Sequence, residues 1–578
     1  MKIESVIITN FRSIKNAVIR MHDITAIVGE NNAGKTAVLR ALNSVMNFKE
    51  EEENFINYRH RFAPRCNTHI RVVFTDVPQR FADKFADKIV GGRLTIQFHY
   101  TYSSRKKQFA YLNSRNEEMV LDDTFLAELK NEIINVYIPA DRTNKDTIWE
   151  DDSIFKKLVS AYVAQHTENR DTISTHVRKA TEKIHSVALK NLEKEINNLY
   201  LQNKSVDFKV NFPSNIDYTV LLSSVMLSMN EYGHNYLLQE WGSGTKSLAV
   251  IAMHRANALL NKASIVLGIE EPEINLHPQG QKKFIMTLRD KRHQNETQSI
   301  FTTHSTVLVD SLKHEEIILV RRKSDNRGFV SDITQISDDF WQRNSIEEFK
   351  HYQYFNYKNS DFFFAKFIVV GESKNDCQVF EGLITPIIGN KAADISYLDS
   401  GGVCNIQYPF FLLRELRIPF VMVVDKDFFF PYLNNNKLED SRNVNTGLPM
   451  YSTIMNHNAV LDVLFSQPQV RQEIEDANRR GYRAFFEKIK NSGIVSMNYC
   501  LEMDLSCSSQ ARSHYYHILH IDPANQSQQN LLISNKKAIK RIENIDQVLK
   551  SIPKSSFPES YMKIKNHIVD MINSMVTA

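Results

Sequence analysis

A glycine-rich stretch, Val28 to Thr36 (VGENNAGKT), closes an apolar run and fits the spacing G-x-x-x-x-G-K-S/T, which is suited to gripping phosphate. Glycines at 29 and 34 let consecutive backbone N–H groups turn toward phosphate oxygens, Lys35 reaches the terminal phosphates, and Thr36 offers a hydroxyl to Mg²⁺. Gly29, Asn31, Asn32, Gly34, Lys35 and Thr36 are therefore the expected nucleotide contacts. A second stretch, ASIVLGIEEPEINLHP (Ala263 to Pro278), ends an apolar run in two acids. Glu270 is suited to hold the water shell of Mg²⁺ and Glu271 to polarise an attacking water. Two carboxylates closing an apolar strand are costly unless a cation sits there. SIFTTHS (Ser299 to Ser305) then brings His304 to the end of the next apolar run, where an imidazole can sense a γ-phosphate by hydrogen bond.

The carboxy-terminal half carries its own acids. AKFIVVGESKNDCQVFEGLI (Ala365 to Ile384) places Glu372 after an apolar run and Asp376 four residues on; ISYLDSGGVCNI (Ile395 to Ile406) carries Asp399; RIPFVMVVDKDFFF (Arg417 to Phe430) ends in Asp425 and Asp427. Side chains alternate along a strand, so the last two are expected on one side. With Glu372 they suit hard divalent cations, Mg²⁺ or Mn²⁺. Two such ions about 4 Å apart would activate a water and stabilise the leaving oxygen of a phosphodiester.

The elements that must position these residues follow from periodicity. DITAIV (Asp23 to Val28) reads as a buried strand and AVLRALNSVM (Ala37 to Met46) as a helix, giving the strand, glycine loop and helix that the phosphate motif requires. ESVIITNF (Glu4 to Phe11) and NAVIRM (Asn16 to Met21) predict a hairpin, and the alternation in HIRVVF, RLTIQFHY and QFAYL between residues 68 and 112 predicts an antiparallel sheet. INVYIPADR (Ile134 to Arg142) is a further buried strand. Between about 151 and 204 the pattern turns helical without a sustained heptad, predicting a helical arm or dimer-forming lobe. Strands are expected again at Ser205–Phe212 and Thr219–Leu227. In EWGSGTKSLAVIAM (Glu240 to Met253) a Gly-Ser-Gly turn opens an apolar helix, an anion-binding terminus. Beyond residue 365, strands alternating with helices predict a parallel sheet with ligands at its carboxyl ends. The expected divisions are 1–150, 151–204, 205–345, a connecting segment 346–364, and 365–578.

Composition narrows the class. A chain of 578 residues is too long for one core, and 42% hydrophobic with 24% charged residues is ordinary for globular domains. A formal charge of +4 permits nucleic-acid binding through local patches, such as Arg321–Lys323, Arg479–Arg480 and NKKAIKR (Asn535 to Arg541), without demanding it. No apolar run approaches the ~18 residues that cross a bilayer, and the amino terminus lacks a signal-peptide core, so a cytoplasmic protein is expected. Five cysteines without C-x-x-C spacing disfavour disulfides and structural zinc.

The phosphate loop, the Gly-Ser-Gly element, the EEPE strand end and the histidine occur in the order seen in ABC-type ATPases of the SMC and RecF kind, which the chain resembles. That resemblance implies that Ser243 and Gly244 of one protomer contact the γ-phosphate bound by another, so ATP hydrolysis needs paired heads; it also sets Arg12, in TNFRS, near the nucleotide. Glu270 stands where most relatives carry Asp. The later acids look like the Toprim fold of topoisomerases, primases and certain nucleases. Together the two halves resemble the OLD (overcoming lysogenization defect) family of ATP-dependent endonucleases. The implied fold class is α/β: an SMC/RecF-like P-loop ATPase with an inserted helical dimerisation arm, followed by a Toprim-like parallel domain. The resemblance implies metal binding at Glu372, Asp376, Asp425 and Asp427, a second metal at Glu502 and Asp504 of LEMDL, and a carboxy-terminal lysine, taken as Lys537. The usual V-E-G turn reads V-G-E here. Implied partners are DNA, a second copy through the heads or a tetramer, and a defence protein or reverse-transcriptase element, in an antiphage role without a membrane. Two other readings stay open: a non-nucleolytic ATP-driven clamp or loader, and a topoisomerase-like enzyme using Tyr451 or Tyr499 as nucleophile.

Overall fold

The computed structural model describes residues 1–140, 153–165, 170–199, 209–210, 212, 219–222, 224–225, 227–231, 234–237, 243–260, 263–274, 276–289, 297–326, 328–355 and 360–577. The chain divides into two units, Met1–Ile27 with Asn32–Ser311, and Val28–Asn31 with Leu312–Ala578.

The strands of the first unit are β1 (Lys2–Phe11), β2 (Ile14–Arg20), β3 (Ile24–Gly29, whose last two residues belong to the second unit), β4 (Thr68–Thr75), β5 (Ile89–Val90), β6 (Arg93–Thr101), β7 (Lys106–Leu112), β8 (Glu118–Val120), β9 (Ile133–Ile138), β10 (Ser228–Glu231), β11 (His234–Leu237), β12 (Ser264–Glu270) and β13 (Thr297–Thr303). An antiparallel sheet runs β2-β1-β4-β6-β7-β8, with β5 on the edge of β6. Its strands alternate as a one-sided sheet must: in β4, Ile70, Val72 and Phe74 are buried while the residues between them are not. A second sheet places β3, β13, β12 and β9 side by side, with β12 parallel to both neighbours. Strands covered on both faces read as continuous apolar runs, which is why IVLGI is buried throughout. The buried Gln298 amide links the two sheets, accepting from the Ile3 N–H at 2.9 Å and donating to the carbonyls of Ile3 and His22 at 2.8 and 3.0 Å.

Helices Ile154–Gln165, Arg170–Ile184 and Lys190–Leu199 occupy the stretch that reads as an arm. The first packs Ile154 and Phe155 against Val250 and Met253 of helix Ser243–Leu260. Thr219–Leu222 is a short helix, not the strand its apolar run suggests; short runs carry no period that separates the two. The strand expected at 205–212 lies almost wholly outside the described residues.

The second unit opens with the hairpin β14 (Ile317–Asp325) and β15 (Gly328–Thr334). Helix Glu348–Phe355 and the turn Ser360–Phe363 follow, burying His351, Phe355, Phe362 and Phe363. A parallel sheet then forms from β16 (Phe367–Gly371), β17 (Ile395–Asp399), β18 (Phe420–Val424) and β19 (Ile494–Ser496), in the order β17-β16-β18-β19. Helices Lys374–Ile388 and Glu559–Thr577 cover it; Phe380, Ile384, Ile564 and Ile568 share its core with Val369, Val421 and Val423.

Candidate functional site

In the phosphate loop, β3 ends at Gly29 with φ +143°, where a Cβ would lie 1.9 Å from the Val320 carbonyl oxygen, so no side chain fits. Asn32 (φ 59°) and Gly34 (φ 110°) turn the chain onto helix Lys35–Met46, with Gly34 as its N-cap and no side chain capping it. The open helix N-terminus faces forward with the buried Lys35 at its first position, the arrangement of an anion site.

The acids at the end of β12 separate by role. Glu270 Oε2 accepts from the Ala140 N–H at 3.2 Å, and burial followed by the Glu270 charge raises the Tyr137 phenol above its ordinary range. Glu271 takes φ 42°, a costly conformation for a glutamate, and is held there by its N–H donating to the Thr302 carbonyl and hydroxyl at 3.0 and 3.2 Å. That turn brings Glu271 Oε1 to 3.8 Å from His304 Nε2. Burial, then the positive charge of Lys35, lowers the His304 pKa against the pull of Glu271, so the ring is neutral near pH 7 and faces both. Sequence reading gave Glu273 no role, yet its Oε1 accepts from the His304 N–H at 2.7 Å, fixing where the histidine sits. The E-E-P-E spacing is the signal that contains it.

Arg12 takes φ 53°, and its guanidinium lies among Arg40, Glu51, Tyr137 and Glu270; its pKa is lowered by burial first and Arg40 second. Its Nη1 is buried without a hydrogen-bond partner. Ser243 and Gly244 open helix Ser243–Leu260 and Gly244 is buried, while Gly242 lies outside the described residues.

The second cluster sits at the carboxyl ends of β16 and β18. Glu372, Asp425 and Asp427 each offer a carboxylate oxygen, and these atoms lie within 4.8 Å of one another. The reason differs from the expected one. β18 stops at Val424, Asp425 is the N-cap of the short helix Lys426–Phe429, and Asp427 returns in its first turn, so a helical turn rather than strand alternation brings the pair together. Lys426, between them, holds its Nζ 5.6 Å from the centre of the Tyr451 ring, its pKa lowered to about 8 by burial against the charge of Asp504. Glu372 Oε2 accepts from the Asp425 N–H at 3.1 Å. Gly371 makes room for the turn, because a Cβ there would come within 2.9 Å of Asp376 Cβ and Cys377 Sγ.

Burial dominates the electrostatics. It raises the Glu372 pKa to about 7, opposed by the Asp425 N–H and reinforced by the charges of Asp427 and Asp376. Asp425 is raised well above its ordinary value by burial, then Glu372, Asp376 and Glu502; Asp427 is also raised, chiefly by burial. Asp427 Oδ2 accepts from the Tyr432 hydroxyl at 3.2 Å, while its Oδ1 is buried with no hydrogen-bond partner. Close carboxylates that resist ionising, one with an unpartnered oxygen, fit a hard cation with oxygen ligands.

The other expected acids are placed differently. Asp376 caps helix Lys374–Ile388, its Oδ2 accepting from Ser373 N–H and hydroxyl at 2.9 and 2.6 Å. Asp399 is a turn residue, accepting from the Gly401 N–H at 2.7 Å. On helix Leu501–Ser506, residues two apart point about 200° from each other. Glu502 belongs to the acidic cluster, whereas Asp504 accepts from Ser560 Oγ and Asn498 N–H at 2.5 and 2.9 Å on the other face. The lysine beside the acids is Lys540, not Lys537: Lys540 Nζ lies 3.0 Å from Glu502 Oε1, and Glu372 and Asp427 feel its charge. Lys537 is exposed on helix Lys536–Ile539, and Lys540 follows that helix as its C-cap. Burial lowers the Lys540 pKa, but Glu502, Cys500 and Asp425 outweigh it and leave it raised.

Two family models match the chain. Residues 24–310 match an AAA domain named for the AbiEii toxin of a type IV TA system, and residues 363–427 match the TOPRIM domain of overcoming lysogenization defect protein-like proteins. An OLD nuclease of Thermus scotoductus is 26% identical over 458 residues, covering 73% of this chain and 81% of its own length. An Old nuclease of Escherichia phage P2 is 20% identical, covering 68% and 71%, and the endonuclease GajA of Bacillus cereus is 20% identical, covering 55% and 58%.

Proposed function

Because the chain belongs to the OLD family of ATPase–Toprim nucleases, an ATP-dependent endonuclease, we propose that it cuts DNA phosphodiester bonds at the Glu372–Asp425–Asp427 centre, with its nucleotide site as the control element. The observation that carries this reading is the convergence of three half-buried carboxylates within 4.8 Å on the carboxyl ends of parallel strands. A divalent cation held there by Glu372, Asp425 and Asp427, with Glu502 serving a second, would supply Lewis acidity to the phosphate and a more acidic water. Lys540 faces the same acids and can offset the charge of the phosphate at the point of cutting. Asp376 and Asp504 act through the backbone turns they hold.

At the nucleotide site, Gly29, Asn31, Asn32, Gly34 and Lys35 hold the phosphates of ATP, Thr36 and Glu270 serve its Mg²⁺, Glu271 orients the attacking water, and His304 reads the γ-phosphate. Arg12, with a buried unpartnered Nη1, adds a cation to that site. Ser243 and Gly244 face the nucleotide of a second copy, so the working unit is at least a homodimer. The proposed setting is antiphage defence in the cytoplasm. No helix among the described residues is long and apolar enough to cross a membrane.

Incubating supercoiled plasmid with Mg²⁺ or Mn²⁺ and no nucleotide, ATP or a non-hydrolysable analogue, beside an Asp425→Ala variant, tests the assignment. Cutting by the parent and not by the variant is expected, with a rate that depends on nucleotide. Equal cutting by both would remove the chemistry from this centre, and no cutting by either would favour a clamp or loader.

A further inference from the structure

The second unit holds another pocket, at the opposite ends of the strands that carry the acids. It is about 770 Å³ and opens among the β14–β15 hairpin and the amino-terminal ends of β16, β17 and β18, marked by Lys366, Ile395 and Pro419. β16 is five residues long, so about 16 Å of strand separates it from Glu372. Ligands of parallel α/β sheets gather at the carboxyl ends. This pocket is therefore not an extension of the acidic centre.

Its lining has six cationic side chains against three carboxylates. Two cations are matched, Lys366 with Asp394 at 3.0 Å and Arg417 with Asp332 at 3.1 Å. Arg321, Arg322, Lys323 and Lys391 have no carboxylate within ion-pair distance among the described residues. Arg321 donates from Nη2 to the Lys366 carbonyl at 3.1 Å, and its buried Nη1 has no hydrogen-bond partner. Burial, against Glu30 and Asp332, lowers its pKa, so the guanidinium is desolvated without a full complement of acceptors. The Arg322 guanidinium lies 4.2 Å over the Phe329 ring, presenting a planar surface. Phe367, Ile395, Pro419 and Ile572 supply apolar walls.

We propose that this pocket is an accessory binding site for a mononucleotide, its phosphates on Arg321 and Lys323 and its base against the Arg322–Phe329 pair and the apolar wall. An unmatched buried guanidinium suits phosphate because its planar fork pairs with two oxygens at once. The apolar wall and the volume, within the ordinary range for small-molecule sites, fit a nucleoside better than a bare inorganic ion. Glu30, which follows Gly29 in the phosphate loop, also lines the pocket, so an occupant here touches the loop that holds ATP. The same phosphate-and-base chemistry is offered by a free nucleotide and by a 5′-phosphorylated DNA end.

Equilibrium dialysis of the full chain with ADP tests the site. Two ADP per chain are expected for the parent, one for Lys35→Ala and one for Arg321→Ala. Lys323→Glu, an exposed change that leaves the fold intact, should weaken the second class about tenfold or more, with the melting temperature unchanged. A 5′-phosphorylated dinucleotide that displaces ADP from the Lys35→Ala protein at tenfold lower concentration would support the site and identify a DNA end as its occupant; weaker displacement would support the free nucleotide. A single ADP per parent chain, lost in Lys35→Ala, would overturn the proposal, as would a second class unmoved by both pocket variants.

Discussion

The two acidic sites of this chain solve opposite problems. At the end of β12, Glu270, Glu271 and Glu273 each meet a different backbone or side-chain group, and the glycine loop supplies an open helix N-terminus, which suits an anion. At the ends of β16 and β18 the carboxylates meet one another, which suits a cation. The donors of a helix N-terminus are satisfied by water as well as by an anion. Half-buried carboxylates crowded together repel one another until a cation or protons neutralise them. Nucleotide should accordingly change what the first unit does, whereas metal should change how stable the second unit is.

Crossed variants test this division most strongly. Asp425→Ala is expected to lower plasmid cutting by about a thousandfold while leaving ATP hydrolysis within twofold, because it removes a ligand and no nucleotide contact. Glu271→Gln should do the reverse to ATP turnover, by about a hundredfold, with nucleotide binding retained. If either variant silenced both activities with its fold intact, the two sites would be one functional unit and the contrast would fail. The next effect in size concerns the lysine. Lys540→Ala should cut DNA about ten- to a hundredfold more slowly, while Lys537→Ala stays within about twofold.

Local spacing made the glycine loop, the E-E-P-E run and His304 legible, because each needs only the next few residues. The D-x-D pair was readable as residues but not as geometry: nothing in VVDKDFFF says that the strand stops at Val424 and that Asp427 returns on a helical turn. Glu502 and Asp504 could have been separated by the helical period alone. Choosing Lys540 over Lys537 needed the tertiary fold, since an acid far away in sequence, Glu502, selects the lysine. Thr219–Leu222 misled because a short apolar run satisfies helix and strand equally.

A smaller effect comes from protons. Glu372 rises from its ordinary value to about 7, and Asp376 to about 6, so both bind protons more tightly folded than unfolded. Without metal, stability should therefore fall as the pH climbs from about 4 to 7; the Glu372 shift alone is worth on the order of 3 kcal/mol. Saturating Mg²⁺ at pH 7.5 should recover it, raising the second unit's melting temperature by about 5 °C. Scanning calorimetry with and without EDTA measures this. A metal response absent at pH 7.5, or equal in Asp425→Ala, would show that the acids are not the cation site.

The finest test is Tyr432. Its hydroxyl donates to Asp427 Oδ2 at 3.2 Å and its ring stacks on Tyr451, so the phenol fixes which oxygen Asp427 turns toward Glu372 and Asp425. Removing only the hydroxyl in Tyr432→Phe keeps the stack and frees the carboxylate to rotate. Metal affinity then drops, because a ligand must be reoriented on binding, whereas the maximal rate at saturating metal is set by groups that remain. The Mg²⁺ concentration for half-maximal cutting should rise about tenfold with the plateau nearly unchanged. A lowered plateau at an unchanged metal requirement would instead put the phenol in contact with the phosphate and make it part of the chemistry.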